Sequence, residues 1–180
     1  MKTCLRDLAV GLATAAVVGS AGAVPVFNVT DWGAHDPVEM DAFTYTLPGP
    51  VSFYNVYTFA VGGLSDILSA AVSLDAPPTF NIEGGSVTLY LSDGDVNFVG
   101  DAGDTSQGSF AFDSTSANTT FGAIGGGNYF YLVAGAITGT SGGSYLLSSA
   151  LTAVPEPGTY ALLFAGLGVM GFVARRRRVI

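Results

Sequence analysis

From residue 41 onward the chain alternates apolar and polar side chains in short runs broken by Gly, Pro, Asn and Ser, and no run keeps a helical period over a useful length. The clearest run is 51–61. Val51, Phe53, Tyr57, Phe59 and Val61 fall on one side of an extended chain and Ser52, Tyr54, Thr58 and Ala60 on the other, with Asn55 as the polar interruption of the apolar row. Further strands are expected at 42–47, 67–74, 86–91, 96–99, 109–112, 119–124, 128–133 and 144–151. Short strands at this spacing predict an all-β fold over 41–153, a two-sheet β-sandwich of jelly-roll or immunoglobulin-like type. Gly84-Gly85, Gly125-Gly126-Gly127 and Gly142-Gly143 read as turns between strands that use positive φ. Residues 24–40 read as a polar N-terminal extension.

The two ends follow a different pattern. Residues 1–23 open with Lys2 and Arg6, continue through an apolar run of small and branched side chains and close on Ala21-Gly22-Ala23, the layout of a secretory signal peptide. Ala21 and Ala23 are the small residues a signal peptidase would read, and Val24-Pro25 interrupts any helix running on from them. Cys4 precedes the apolar run, so it is not placed as a lipoprotein cysteine. At 154–180, Pro155-Glu156-Pro157 is followed by an uncharged stretch, 158–174, and then by Arg175, Arg176, Arg177 and Arg178. As a helix, 158–174 reaches about 25 Å, a short transmembrane span. The arginines would hold its far end in the cytoplasm, leaving the body of the chain outside.

Charge sharpens this division. The chain has 6 Lys and Arg against 14 Asp and Glu, and every cation lies in the two end segments. All carboxylates except Asp7 and Glu156 fall between 24 and 154, where there is no Lys, no Arg, no Cys and a single His, His35. A body without cations cannot neutralise phosphates, which excludes nucleic acid as a partner, and it offers neither a thiolate nor a zinc cluster. The expectation is a non-catalytic protein. Its core must form without disulfides, which the length of the body allows.

Pro155, Glu156 and Pro157, the glycine-punctuated apolar helix and the terminal arginines, in that order, resemble the PEP-CTERM sorting signal, whose tail is also labelled in some schemes as an ice-binding protein C-terminal domain. The resemblance implies an exosortase as processing enzyme in a Gram-negative, exopolysaccharide-producing bacterium. Pro155–Pro157 would be the recognition motif and Arg175–Arg178 the stop-transfer cluster. It also implies an inner-membrane intermediate and a final place on the cell surface or in the extracellular matrix, with polysaccharide as a partner. A second resemblance, to the FxDxF subfamily, rests on Phe53, Asn55 and Tyr57, with Asn55 where that group has Asp and Tyr57 where it has the second Phe. Read from physics alone, these aromatics face a core, and a polar residue among them sits at a sheet edge or bonds the backbone.

Three further constellations are candidates. Asp93, Asp95, Asn97, Asp101 and Asp104 set side-chain oxygens at the spacing of a calcium loop, although Phe98 stands where such loops turn on Gly. The alternative is an acidic hairpin loop, and Ca²⁺ is the one cofactor the sequence raises. Asp31, Asp36, Glu39 and Asp41 lie near His35 and Trp32, the raw material of a glycosidase pair or of a solvated extension. Trp32 and the tyrosines are able either to stack on sugar rings, making a carbohydrate-binding module, or to pack between sheets. The calcium reading predicts that millimolar Ca²⁺ raises the melting temperature above that in chelator. A melting curve that does not move contradicts it.

Overall fold

The computed structural model describes residues 24–94, 103–154 and 157–177. The signal peptide with Ala21 and Ala23, the strand expected at 96–99, Asp95, Asn97, Asp101, Pro155, Glu156 and Arg178 lie outside the described residues. Within them run β1 (Val26–Ala34), β2 (Val38–Tyr45), β3 (Val51–Val61), β4 (Ser65–Ser73), β5 (Ile82–Leu91), β6 (Thr105–Phe112), β7 (Ala117–Ile124), β8 (Gly127–Ile137), β9 (Gly143–Ala153) and the helix α1 (Pro157–Arg177). One sheet has the order β1-β3-β8-β5-β6 and faces a second with the order β2-β9-β4-β7. Strands β2 to β9 therefore form the two interlocked Greek keys of a jelly roll, which decides between the two sandwich types the sequence allows. β1 is an addition, running parallel to β3 at the edge of the first sheet.

Residues 24–40 are thus not an extension. They supply the edge strand β1 and the start of β2. The alternation is present, with Val26, Asn28, Thr30 and Trp32 half-buried and Phe27, Val29 and Asp31 exposed, but polar Asn28 and Thr30 occupy inward positions and disguise it. Gly84-Gly85 is likewise not a turn between strands. It forms a bulge inside β5, where the register against β8 slips between Glu83 and Ser86 and Gly84 takes φ 64°. At the β7–β8 corner the left-handed residue is Ala123, φ 54°, whose N–H donates to Asp66 Oδ1 at 2.7 Å. Gly142 fulfils its expectation: it has φ 138°, and a Cβ there would run into the Tyr45 carbonyl.

The core between the sheets is built by complementary sizes. β3 and β8 send in Phe53, Tyr57, Phe59, Tyr129, Tyr131 and Val133, whereas β4 answers with Ser65, Ile67, Ser69, Ala71 and Ser73. Small side chains on one sheet leave room for long aromatic ones on the other, which keeps the interior filled. The chain leaves the sandwich at the pole where β3 passes to β4, and the Val154 N–H closes that exit by donating to the Leu64 carbonyl at 3.0 Å.

Candidate functional site

Three places carry chemistry beyond packing. The first is the tail. α1 has 21 residues, about 31 Å at roughly 1.5 Å per residue, and its apolar window Gly158–Arg175 is wholly unburied by the sandwich. Pro157 takes the first helical position, where its missing N–H costs nothing. Arg175 is exposed at the end of the apolar window, and Arg176 and Arg177 follow in the last turn. The helix runs to Arg177, beyond the expected 158–174, because arginine is a good helix former.

The second is the interior around Phe53, Asn55 and Tyr57. Asn55 is completely buried on β3, which is paired on both sides, so it is not at an edge, and its side chain bonds tyrosine hydroxyls where the sequence suggests backbone. The Tyr45 hydroxyl donates to its Oδ1 at 2.5 Å, and its Nδ2 donates to the Tyr145 oxygen at 2.5 Å. The Tyr145 and Tyr57 hydroxyls lie 2.7 Å apart. Phe53 stacks on Tyr145 with ring centroids 5.7 Å apart. Burial pushes the Tyr45, Tyr57 and Tyr145 phenols well above their ordinary 10.0, and the Asp41 carboxylate facing Tyr57 pushes the same way. A second cluster joins β8 to β4 and β9: the Tyr131 hydroxyl meets Ser69 Oγ at 2.5 Å and Ser149 Oγ at 2.9 Å, and burial raises its pKa to about 12. Ser149 also meets His35 Nε2 at 2.8 Å.

The N-terminal carboxylates do not converge on one site. Glu39 and Asp41 sit on the inward side of β2, Asp31 faces outward from the opposite sheet, and Asp36 lies in the exposed β1–β2 connection. His35 is half-buried rather than free on the surface, its ring 5.0 Å from Phe59. Trp32 turns inward against Tyr57, with centroids 5.1 Å apart, so it is no stacking platform. At the acidic loop, Asp93 and Asp104 do come together, the Asp93 N–H donating to Asp104 Oδ1 at 3.3 Å. Among the described residues no group of three or more His, Cys, Asp or Glu could hold a metal ion.

The third place is on the outer face of the five-stranded sheet. Strand register lines up Asp31, Thr58, Phe130 and Tyr90 across the outward side of β1, β3, β8 and β5. A cavity of about 320 Å³ opens beside this row, lined by Asp31, Thr58, Ala60, Ser92, Asn128 and Phe130 among others. Asp31 Oδ1 is held by the Gly33 N–H at 3.0 Å and by the Thr58 hydroxyl at 2.9 Å. Tyr90, half-buried, stacks on Phe130 with centroids 5.0 Å apart and an interplanar angle of 15°. The outward alternation of Thr58 and of Asn128 with Phe130 is visible in the sequence, but which strands lie side by side is not.

Residues 153–178 match the PEP-CTERM protein-sorting motif. No curated protein matches the chain. Among solved structures, it is similar to the pre-peptidase C-terminal domain of collagenase from Bacillus anthracis, at 17% identity over 73% of this chain and 99% of that one, with a TM-score of 0.37. It is also similar to the lysozyme inhibitor PliG of Aeromonas hydrophila, at 11% identity over 72% and 100% of the two chains and a TM-score of 0.38. TmCBM61, solved with β-1,4-galactotriose, matches at 13% identity over 67% and 91%, with a TM-score of 0.33. Likeness this distant bears on neither ligand nor activity.

Two outcomes are expected from the buried tyrosines. Asn55→Leu keeps the volume but strips Tyr45 and Tyr145 of their shared partner, and urea unfolding should show a loss of about 2–4 kcal/mol. A loss below about 1 kcal/mol contradicts the role given to this amide. The raised phenols keep their protons when the unfolded chain, with pKa near 10.0, gives them up, so their contribution is complete below pH 10 and falls as pH rises toward about 12. Phenolate absorbance from these tyrosines should therefore appear together with loss of the β-sheet circular dichroism signal. Full titration near pH 10 with the sheet signal intact contradicts this.

Proposed function

We propose that this chain is an exported, non-catalytic protein sorted by an exosortase, and that its sandwich serves a structural or adhesive role at the cell surface or in an exopolysaccharide matrix. The junction at the end of β9 supports this. The sorting motif starts at residue 153, on the last residue of the last strand, and the helix that follows buries none of its apolar window against the sandwich. A helix of this composition with no partner in the fold needs another apolar phase, and a bilayer supplies one of matching thickness.

The mechanism follows from the order of the parts. A signal peptidase cuts after Ala23 and frees the N-terminus. The helix then parks the tail in the inner membrane with Arg175–Arg178 on the cytoplasmic side. A proline disfavours the helical conformation in the residue that precedes it, and an extended backbone is what a processing enzyme threads into its site. Loss of both end segments leaves the carboxylates of 24–154 without a single Lys or Arg, a polyanion suited to a hydrated matrix.

Intact mass and cell fractionation of the native protein test this directly. The expected product is a surface or matrix form that begins at Val24 and lacks Arg175–Arg178. Recovery of the whole population in the inner membrane with Ile180 intact overturns the sorting reading.

A further inference from the structure

The outward side of the five-stranded sheet is chemically unlike an ordinary solvated sheet face. Its central positions Val56 and Phe130 are almost completely buried although they point away from the sandwich core, while Tyr54, Thr58 and Tyr90 around them stay half-buried. At the end of this face lies the cavity of about 320 Å³, within the low range of pockets that hold small ligands. The row Asp31, Thr58, Phe130, Tyr90 crosses four strands, three spacings of roughly 4.8 Å.

The groups available select the ligand. Asp31 is oriented in advance, because one carboxylate oxygen already accepts from Gly33 and Thr58, while among the described residues the other oxygen accepts no hydrogen bond. Asn128, exposed on the rim, offers both a donor and an acceptor. Ser92 adds a hydroxyl that accepts from the Gly94 N–H at 3.1 Å. Carboxylate, amide and hydroxyl together match a ligand dense in hydroxyls, which both give and take hydrogen bonds. An anionic ligand finds no cation anywhere between 24 and 154 and meets Asp31 instead. A purely apolar ligand would leave these polar groups desolvated and unpaired. Tyr90, half-buried and stacked on the buried Phe130, supplies the remaining element, an aromatic ring beside the polar line against which the C–H side of a sugar ring can lie.

We propose that this face binds an uncharged polysaccharide, with Asp31, Thr58, Asn128 and Ser92 contacting its hydroxyls and Tyr90 flanking a sugar ring. The proposal rests on the adhesive reading above and gives it a site. It is tested by affinity electrophoresis of the full chain, purified in mild detergent, through gels containing neutral β-glucan, galactan or amylose, with alginate as the anionic counterpart. Retardation is expected with at least one neutral polymer and not with alginate. Thr58→Val, which keeps the shape of an outward strand residue, and Asn128→Ala should each weaken it about tenfold. Leu68→Ser, on the outer face of the other sheet, should leave it unchanged. Circular dichroism on each variant separates lost binding from lost folding. Retardation by no neutral polymer, retardation by alginate, or retardation that survives both Thr58→Val and Asn128→Ala overturns the proposal. The two readings fail separately: a chain that is processed and matrix-located but not retarded loses only this site, and one that is retarded but stays whole in the inner membrane loses only the sorting account.

Discussion

A neutral amide in the middle of β3 is what the arrangement of the two sheets depends on. Asn55 and Tyr57 belong to the five-stranded sheet, Tyr45 and Tyr145 to the four-stranded one, so each bond among them crosses the sandwich. Tyr131 makes a second crossing to Ser69 and Ser149. Apolar burial drives two sheets together but tolerates sliding, whereas directional bonds in a dry interior are satisfied at one alignment only. The body has no Lys or Arg, which explains why the central group is uncharged. A buried carboxylate would have no basic partner, and unlike an amide it could only accept, leaving nothing to donate to Tyr145.

That alignment carries through to the outside. With the inward side of β3 pinned at Asn55 and Tyr57, its outward side presents Tyr54 and Thr58 at fixed heights, and β1 and β8 bring Asp31 and Phe130 level with Thr58. The outward cavity is therefore a consequence of the same register that satisfies the core. β1 matters most here. Without this parallel edge strand the face would lack its carboxylate and one wall of the cavity.

Much of this was legible in the chain, for identifiable reasons. The alternation in 51–61 announces a strand because large apolar side chains recur at every second position. The tail announces itself through length, hydropathy and clustered arginine, which need no tertiary context. β1 was hidden because Asn28 and Thr30 point inward, where an edge strand tolerates them. Asn55 looked like a flaw in an apolar row because its partners lie 10 and 90 residues away. The outward row was invisible for the same reason, since Asp31, Thr58, Tyr90 and Phe130 meet only through cross-strand register. Gly84-Gly85 reads identically as a turn or a bulge until its neighbours are known.

The sandwich is complete in itself, and the helix is an appendage whose apolar window it does not bury. Thermal unfolding of residues 24–154, compared with the full chain in mild detergent, tests this most directly. A folded, soluble domain with the same β-sheet spectrum and a melting temperature within a few degrees of the parent is expected, because the apolar window of α1 is not buried in the fold. A truncated chain that is unfolded, or that melts far below the parent, would mean that the helix belongs to the core.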